Sequence, residues 1–192
     1  LVELFVEELP PKSLKKLGDA FAGTLAASLK AQGLATDHSA VTAYATPRRL
    51  AMHLSAVSAQ GDDKAVTHKL MPVTVALDAS GGPTPALLKK LSAVGADASV
   101  VPQLERKPDG KTEALVWSTT VRGATLAAGL QVALDETLRL LPIPKVMSYQ
   151  LEDGWSSVNF VRPAHGLVAL HGADVVNISS LGLTSGRNTQ GH

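Results

Sequence analysis

Hydrophobic and polar residues alternate at the start of the chain, which predicts a β-strand followed by a long helix. In residues 1–9, LVELFVEEL, the apolar side chains Val2, Leu4 and Val6 share one face. Pro10-Pro11 ends this strand and suits the first turn of a helix, where proline loses no hydrogen bond. Apolar residues then recur every three or four positions and predict one amphipathic helix over 12–32, capped by Gly33: Leu14, Leu17, Phe21, Leu25 and Leu29.

A two-residue period returns in residues 40–58 and predicts a second strand, or a pair of strands broken at Thr46-Pro47. A short helix is expected further along the chain. Thr84 can cap it, Pro85 takes its first position and Gly95 lies beyond its end.

The sequence KPDGK predicts a tight reversal of the chain, so its flanking segments 99–105 and 113–121 are expected to pair as a hairpin. A second long amphipathic helix follows and is stopped by Pro142. Its apolar stripe consists of leucines spaced three or four residues apart: Leu126, Leu130, Leu134, Leu138 and Leu141.

Short strands are expected near 157–161, 166–171 and 174–178. Because helices and hairpins follow one another without a regular strand–helix–strand repeat, the pattern favours an α+β fold with mixed or antiparallel strands, two long amphipathic helices and one short helix. The length suits one domain or two tightly packed subdomains. The chain could divide near 60–70 or 142–150.

Composition narrows the classes of function. The 18 basic residues nearly balance the 17 acidic ones, and the net charge of +1 gives no global positive field to hold nucleic acid. The absence of cysteine excludes disulfides, thiolate nucleophiles and cysteine-ligated metals. No apolar run approaches the roughly 18 to 20 residues of a membrane helix, so a soluble, cytoplasmic protein is expected.

The common catalytic motifs are missing from the sequence. It contains no phosphate-binding G-x-x-x-x-G-K-[ST], no G-x-G-x-x-G, no H-E-x-x-H and no G-x-S-x-G, so no catalytic residue is predicted. The histidines are scattered, and no metal site is predicted. Lys145–Ser148 superficially resembles a lysine loop that holds ATP phosphates, but a helix exit with Val146 and Met147 packed inward is the favoured interpretation.

Basic residues cluster in only one stretch, residues 45–70, which contains four Lys and Arg residues and two Asp residues. Consecutive guanidiniums at Arg48 and Arg49, after the stiff Thr46-Pro47, could hold adjacent phosphates, contact a subunit, or divide between solvent and a nearby carboxylate. With only seven aromatic residues, stacking on unpaired bases is not expected. The candidates for RNA or subunit contact are Arg48, Arg49, Lys69, Lys145, Arg162 and Arg187.

Seven segments in a fixed order carry a family resemblance. They are LVELFVEELPPKSLKKL, ATPRRLA, KLMPV, ALDASGGPTPALLKKL, LPIPKVMS, NFVRPAHGLVALHG and SGRNTQGH. Together they resemble the N-terminal part of the β subunit of bacterial heterotetrameric glycyl-tRNA synthetase. The resemblance spans the whole chain.

This resemblance implies an α2β2 enzyme that joins glycine to tRNA(Gly) at the expense of ATP. It implies that ATP and Mg²⁺ are used at the α subunit, that this chain binds no cofactor itself, and that the HD-type and anticodon-binding domains lie outside it. The expected partners are the α subunit, tRNA(Gly) and the remainder of the β subunit, with no membrane. The chain would support tRNA charging by docking on α, by positioning tRNA, or both. An autonomous α+β module that binds a small ligand or a protein is the alternative.

Overall fold

The computed structural model describes residues 1–110 and 112–191, and it confirms the α+β class. In chain order the strands are β1 (Val2–Val6), β2 (Val41–Thr46), β3 (Arg49–Leu54), β4 (Lys64–Pro72), β5 (Glu105–Asp109), β6 (Thr112–Val121), β7 (Met147–Gln150), β8 (Ser157–Phe160), β9 (Ala164–His171), β10 (Asp174–Val175), β11 (Ser179–Ser180) and β12 (Leu183–Thr184). The α-helices are α1 (Leu14–Ala31), α2 (Val73–Ala76), α3 (Pro85–Ala93) and α4 (Leu126–Leu140), with 3₁₀ turns at Pro11–Ser13 and Ala98–Gln103.

The chain forms two compact units. The split unit contains Leu1–Asp62 and the chain from Gly123 onward, and the inserted unit contains Asp63–Arg122. Each unit has its own cluster of buried apolar residues. The two are therefore described separately.

A five-stranded antiparallel sheet organises the split unit, in the order β10-β9-β1-β3-β2. The pair of strands broken at Thr46-Pro47 is confirmed as the β2–β3 hairpin, which turns at Pro47-Arg48. Leu4 of β1 lies opposite Leu50 of β3 and Leu167 of β9, and all three side chains are buried. This row of leucines is the middle of the sheet's apolar face.

Helices α1 and α4 share one core with this apolar face, as the two leucine stripes predict. Thr125 caps α4 by accepting a hydrogen bond from the Ala128 N–H, and Gly33 adopts a positive φ of 75° just after α1. Leu138 is only partly buried. The buried stripe residues are Leu17, Phe21, Leu25, Leu29, Leu126, Leu130, Leu134 and Leu141.

The inserted unit has a three-stranded antiparallel sheet in the order β4-β6-β5. The predicted short helix is confirmed as α3, where the Thr84 hydroxyl accepts from the Leu87 N–H. His68 of β4 stacks on Trp117 of β6, with ring centroids 5.6 Å apart. A small apolar core closes the unit: Leu70, Ala76, Leu87, Leu91 and Leu115.

Three local predictions are wrong. The segment 99–105 is mostly a 3₁₀ turn, because Asp97 accepts from the Ser99 N–H and Pro102 has no N–H for a ladder; the hairpin strand is β5, shifted toward the KPDGK turn. The strand at 174–178 shrinks to the two residues of β10. Val146 and Met147 do not pack inward: they are 55% and 39% exposed, and Met147 begins β7.

Candidate functional site

The turn that carries Arg48 is tied to the chain that leaves β1. The Val6 N–H donates to the Arg48 carbonyl at 2.9 Å, and the Leu9 N–H donates to the Pro47 carbonyl at 2.6 Å. The first bond keeps the β1–β3 register, and the second ties the segment after β1 to the same turn. The backbone around Arg48 is consequently fixed from two sides, which orients the side chains that project from it.

The two consecutive arginines meet at one aromatic ring. The guanidinium carbons of Arg48 and Arg49 each lie 5.2 Å from the centroid of Phe5, which is itself buried. A cation near an aromatic face is attracted by the ring quadrupole, by about 0.5 to 1 kcal/mol at exposed sites. Both positively charged side chains of this turn therefore contact the same ring, that of Phe5.

Arg49 is committed to a carboxylate. Its Nε lies 3.4 Å from Oε1 of Glu3, and the two side chains are only 24% and 16% exposed. The Nε–H is not aligned well enough for a hydrogen bond, so the attraction is that of an ion pair. The hydroxyl of Thr189 donates to the same Glu3 oxygen. One interpretation of the sequence was that one of the two consecutive arginines pairs with a nearby carboxylate. Arg49 does so, with Glu3.

Arg162 is held by backbone carbonyls. Its Nε donates to the Glu8 carbonyl and its Nη1 to the Val161 carbonyl, both at 2.9 Å. Nη1 also contacts the sulfur of Met147 at 3.2 Å. This arginine thus joins β7, the exit of β8 and the segment after β1.

An open surface recess lies between these groups. Arg48 and Arg162 line it together with Glu7 and Glu8, and Leu9, Pro10 and Pro11 supply its apolar side. His165 lies beside it, with Nε2 3.4 Å from Oε1 of Glu7. Two cations and two carboxylates make the lining electrically mixed. It can accept a polar protein surface readily, whereas a phosphate would meet repulsion from both glutamates.

The remaining predicted site residues do not join this cluster. Lys69 belongs to the inserted unit, where its Nζ lies 2.7 Å from Oδ2 of Asp109. Lys145 is exposed in the segment before β7. Arg187 donates from Nη2 to the Ala173 carbonyl at 3.2 Å, in the β9–β10 turn at the opposite end of β9 from the recess. The structure thus brings together Arg48, Arg49 and Arg162.

Sequence reasoning missed two residues of this site, Glu3 and Phe5. Neither is among the candidates predicted from the sequence, and Glu3 is mostly buried against Arg49. A signal was present, because Glu3 and Phe5 are two residues apart in a strand and so share its face. The pairing with Arg49 depends on the β1–β3 register, which places Phe5 opposite Arg49 and Glu3 diagonally across from it.

Metal-binding clusters and membrane-spanning helices are both absent from the described residues. Within 1–110 and 112–191, no three His, Asp or Glu side chains come together to hold a metal ion. No helix in the same ranges is long and apolar enough to cross a bilayer.

Comparison with known proteins gives one consistent result. The family model described as glycyl-tRNA synthetase beta subunit matches residues 1–192. Glycine–tRNA ligase beta subunits from Leptothrix cholodnii, Paracidovorax citrulli and Acidovorax ebreus are 71%, 68% and 66% identical to this chain over its whole length. The chain spans only 27–28% of the length of these relatives. It belongs to the glycyl-tRNA synthetase beta subunit family, as the N-terminal part of that subunit.

Proposed function

We propose that this chain supports the ATP-dependent charging of tRNA with glycine as an architectural part of an α2β2 ligase in the cytoplasm. In this proposal it docks the β subunit on α and helps to hold the remainder of β in place. ATP and Mg²⁺ act at the α subunit, and this chain contributes no catalytic group. The tRNA(Gly) contacts are made mainly elsewhere in the assembly.

The observation that carries the proposal is the engagement of the basic side chains by the protein itself. Arg49 is paired with Glu3, Arg162 binds two backbone carbonyls, and Lys69 is paired with Asp109. Phosphate recognition needs donors that are available to the ligand. Basic groups that already have protein partners stabilise the fold instead of binding a ligand. A rigid surface stabilised in this way suits docking to another subunit.

The test is to measure the affinity of the chain for purified α subunit and, separately, for tRNA(Gly) over a range of salt concentrations. We expect binding to α that changes little with salt, and tRNA binding that is much weaker than that of the full β subunit. We also expect no glycine-dependent ATP–pyrophosphate exchange without α. Full-strength tRNA binding with no affinity for α would overturn the proposal.

A second candidate function, contact with a tRNA phosphate, rests on Arg48. Within residues 1–110 and 112–191, no carboxylate lies within 4 Å of its guanidinium, and the side chain lines the open recess. Arg49 is a poor test of this function, since Arg49→Ala would leave Glu3 mostly buried without its cation.

Arg48→Ala is therefore the informative variant, with the exposed Arg106→Ala of β5 as a charge-matched control. If Arg48 binds a phosphate, the variant should weaken tRNA binding and reduce the salt slope by about 1, with α affinity unchanged. An unchanged slope in a folded variant assigns Arg48 to the scaffold.

A further inference from the structure

Strand β2 is an edge strand without the usual protection. It is the last strand of the five-stranded sheet, and its six residues, VTAYAT, contain no charge, proline or glycine. Its register with β3 is unbroken over all six pairs. Five of the six residues are exposed, including Val41 at 42% and Tyr44 at 53%. A long, uncharged edge of this kind is a template for another strand.

The other edges of the two larger sheets in the described residues are protected in recognisable ways. Strand β10 has only two residues, one of them Asp174. Strand β4 begins with Lys64, carries Lys69, and has a bulge before Pro72. Strand β5 has the sequence ERKPD, which is almost entirely charged and includes a proline. Short length, charge, bulges and proline are the devices that prevent edge-to-edge pairing, and β2 has none of them.

The pattern of hydrogen-bonded and non-hydrogen-bonded pairs in the β2–β3 hairpin identifies which backbone groups of β2 point away from β3. Because the turn has two residues, the flanking pair Thr46–Arg49 exchanges both backbone hydrogen bonds, and every second pair does the same. The bond from the Ser55 N–H to the Ala40 carbonyl fits this phase. The N–H and C=O groups of Val41, Ala43 and Ala45 therefore point away from β3, which makes three donors and three acceptors.

A recess beside this edge can receive a side chain of an added strand. Ala43 and Ala45 line it together with Leu14, Lys15, Gly18 and Asp19 of α1, and its volume is about 270 Å³. The two charged residues of this lining pair with each other, with Lys15 Nζ 2.6 Å from Asp19 Oδ2. Gly18 allows α1 to approach closely, since a Cβ there would lie 2.6 Å from that of Ala45. The small side chains leave room for one apolar residue of an incoming strand.

We propose that β2 is paired, in the full-length β subunit, with an uncharged β-strand from the part of that subunit outside this chain. The relatives have most of their length outside the region that this chain covers. After Gly186 bonds to β9, the Thr189 hydroxyl reaches Glu3 of β1, so the chain crosses the sheet toward β3 and β2. A segment of the same polypeptide also has a high effective concentration at this edge.

This proposal depends on the family assignment and not on docking to α. The pairing of β2 and the docking function proposed above can therefore fail separately. The test is residue-resolved hydrogen exchange on the full-length β subunit, alone and with α. We expect the amides of Val41, Ala43 and Ala45 to be protected in β alone, to an extent comparable with the inward amides. The inward amides of Thr42, Tyr44 and Thr46 bond to β3 and are the internal control.

Three results would overturn the proposal. Protection of the outward amides that appears only with α would assign the added strand to α. Protection that grows with the concentration of β would assign it to a second copy of the chain. Fast exchange under every condition would show that the edge is open.

A proline variant sharpens the test. Ala43→Pro removes one outward N–H and touches no bond to β3. In the full-length subunit it should cause a loss of protection at Val41 and Ala45 while the inward amides stay protected, and Ala43→Ser should change neither. Unchanged protection at Val41 and Ala45 in the proline variant would contradict an added strand. If Ala43→Pro prevents folding, the exchange pattern of the unmodified subunit decides.

Discussion

The split unit and the inserted unit bury their apolar residues in different ways. In the split unit two long helices cover one face of a five-stranded sheet, and the core draws on residues from both ends of the chain. Among the described residues, the inserted unit has a three-stranded sheet, two short helices and a core cluster of five buried apolar residues. The difference indicates that contacts distant in sequence stabilise the split unit, whereas local contacts within 63–122 stabilise the inserted unit.

The largest effects are expected from truncating one central leucine in each core. Leu17 and Leu91 are completely buried, so Leu17→Ala and Leu91→Ala should each cost about 2 to 5 kcal/mol of unfolding free energy in their own unit. Trp117 fluorescence, with Trp155 replaced by Phe, reports the inserted unit. Leu91→Ala should lower the midpoint of that transition, and Leu17→Ala should barely move it.

The exposed Lys16→Ala is the control and should stay within about 0.5 kcal/mol. If Leu17→Ala lowers the Trp117 transition as much as Leu91→Ala does, the two units unfold together and the comparison fails.

A smaller effect is expected at the helix caps, where each unit offers a matched threonine. The hydroxyl of Thr84 accepts from the Leu87 N–H, and that of Thr125 accepts from the Ala128 N–H, both at 3.3 Å. Thr84→Ala and Thr125→Ala should each cost about 1 kcal/mol, and the corresponding serine variants should retain most of the stability. Chemical denaturation monitored by exchange in α3 and α4 measures both. Equal loss in both helices from either single variant would again argue for one cooperative unit.

The smallest effect concerns acid pH. Two hydrogen bonds to its carboxylate lower the pKa of Asp78 below its ordinary value of 3.8. The larger contribution comes from the Ser80 side chain and the next from the backbone N–H of Gly82. A lowered folded-state pKa contributes stability that is present above the unfolded pKa and is lost as pH falls through the folded one. Asp78→Asn should therefore reduce the acid sensitivity of the Trp117 transition as pH falls below about 4, from the unfolded pKa toward the lower folded one. An identical acid dependence in the variant would show that this turn does not contribute.

Local chemistry explains why the helices were predictable. Thr84-Pro85 and Thr125 are caps whose partners lie within three residues. The leucine spacing of α4 is likewise a local pattern, since it lies entirely within the helix's own sequence. The strand expected at 99–105 was wrong because its apolar residues fit a turn as well as a strand. There Asp97 and Pro102 decided the outcome.

The candidate site was less predictable because it depends on long-range register. Arg48 and Arg49 were visible in the sequence as a basic pair, but their common contact with Phe5 exists only when β1 lies beside β3. The same register buries Glu3 against Arg49. Lys69 is near the two arginines in sequence, and the chain carries it into the inserted unit instead.

The most direct test of separate units is deletion of the inserted one. Residues 61 and 124 are already joined by a hydrogen bond of 2.9 Å from the Gly61 N–H to the Ala124 carbonyl, so Asp62 can be linked to Gly123 through a short glycine linker. Hydrogen exchange of the shortened chain should show the amides of β1, β3, β9 and α4 protected as in the complete chain. Loss of that protection would contradict an independent core in the split unit.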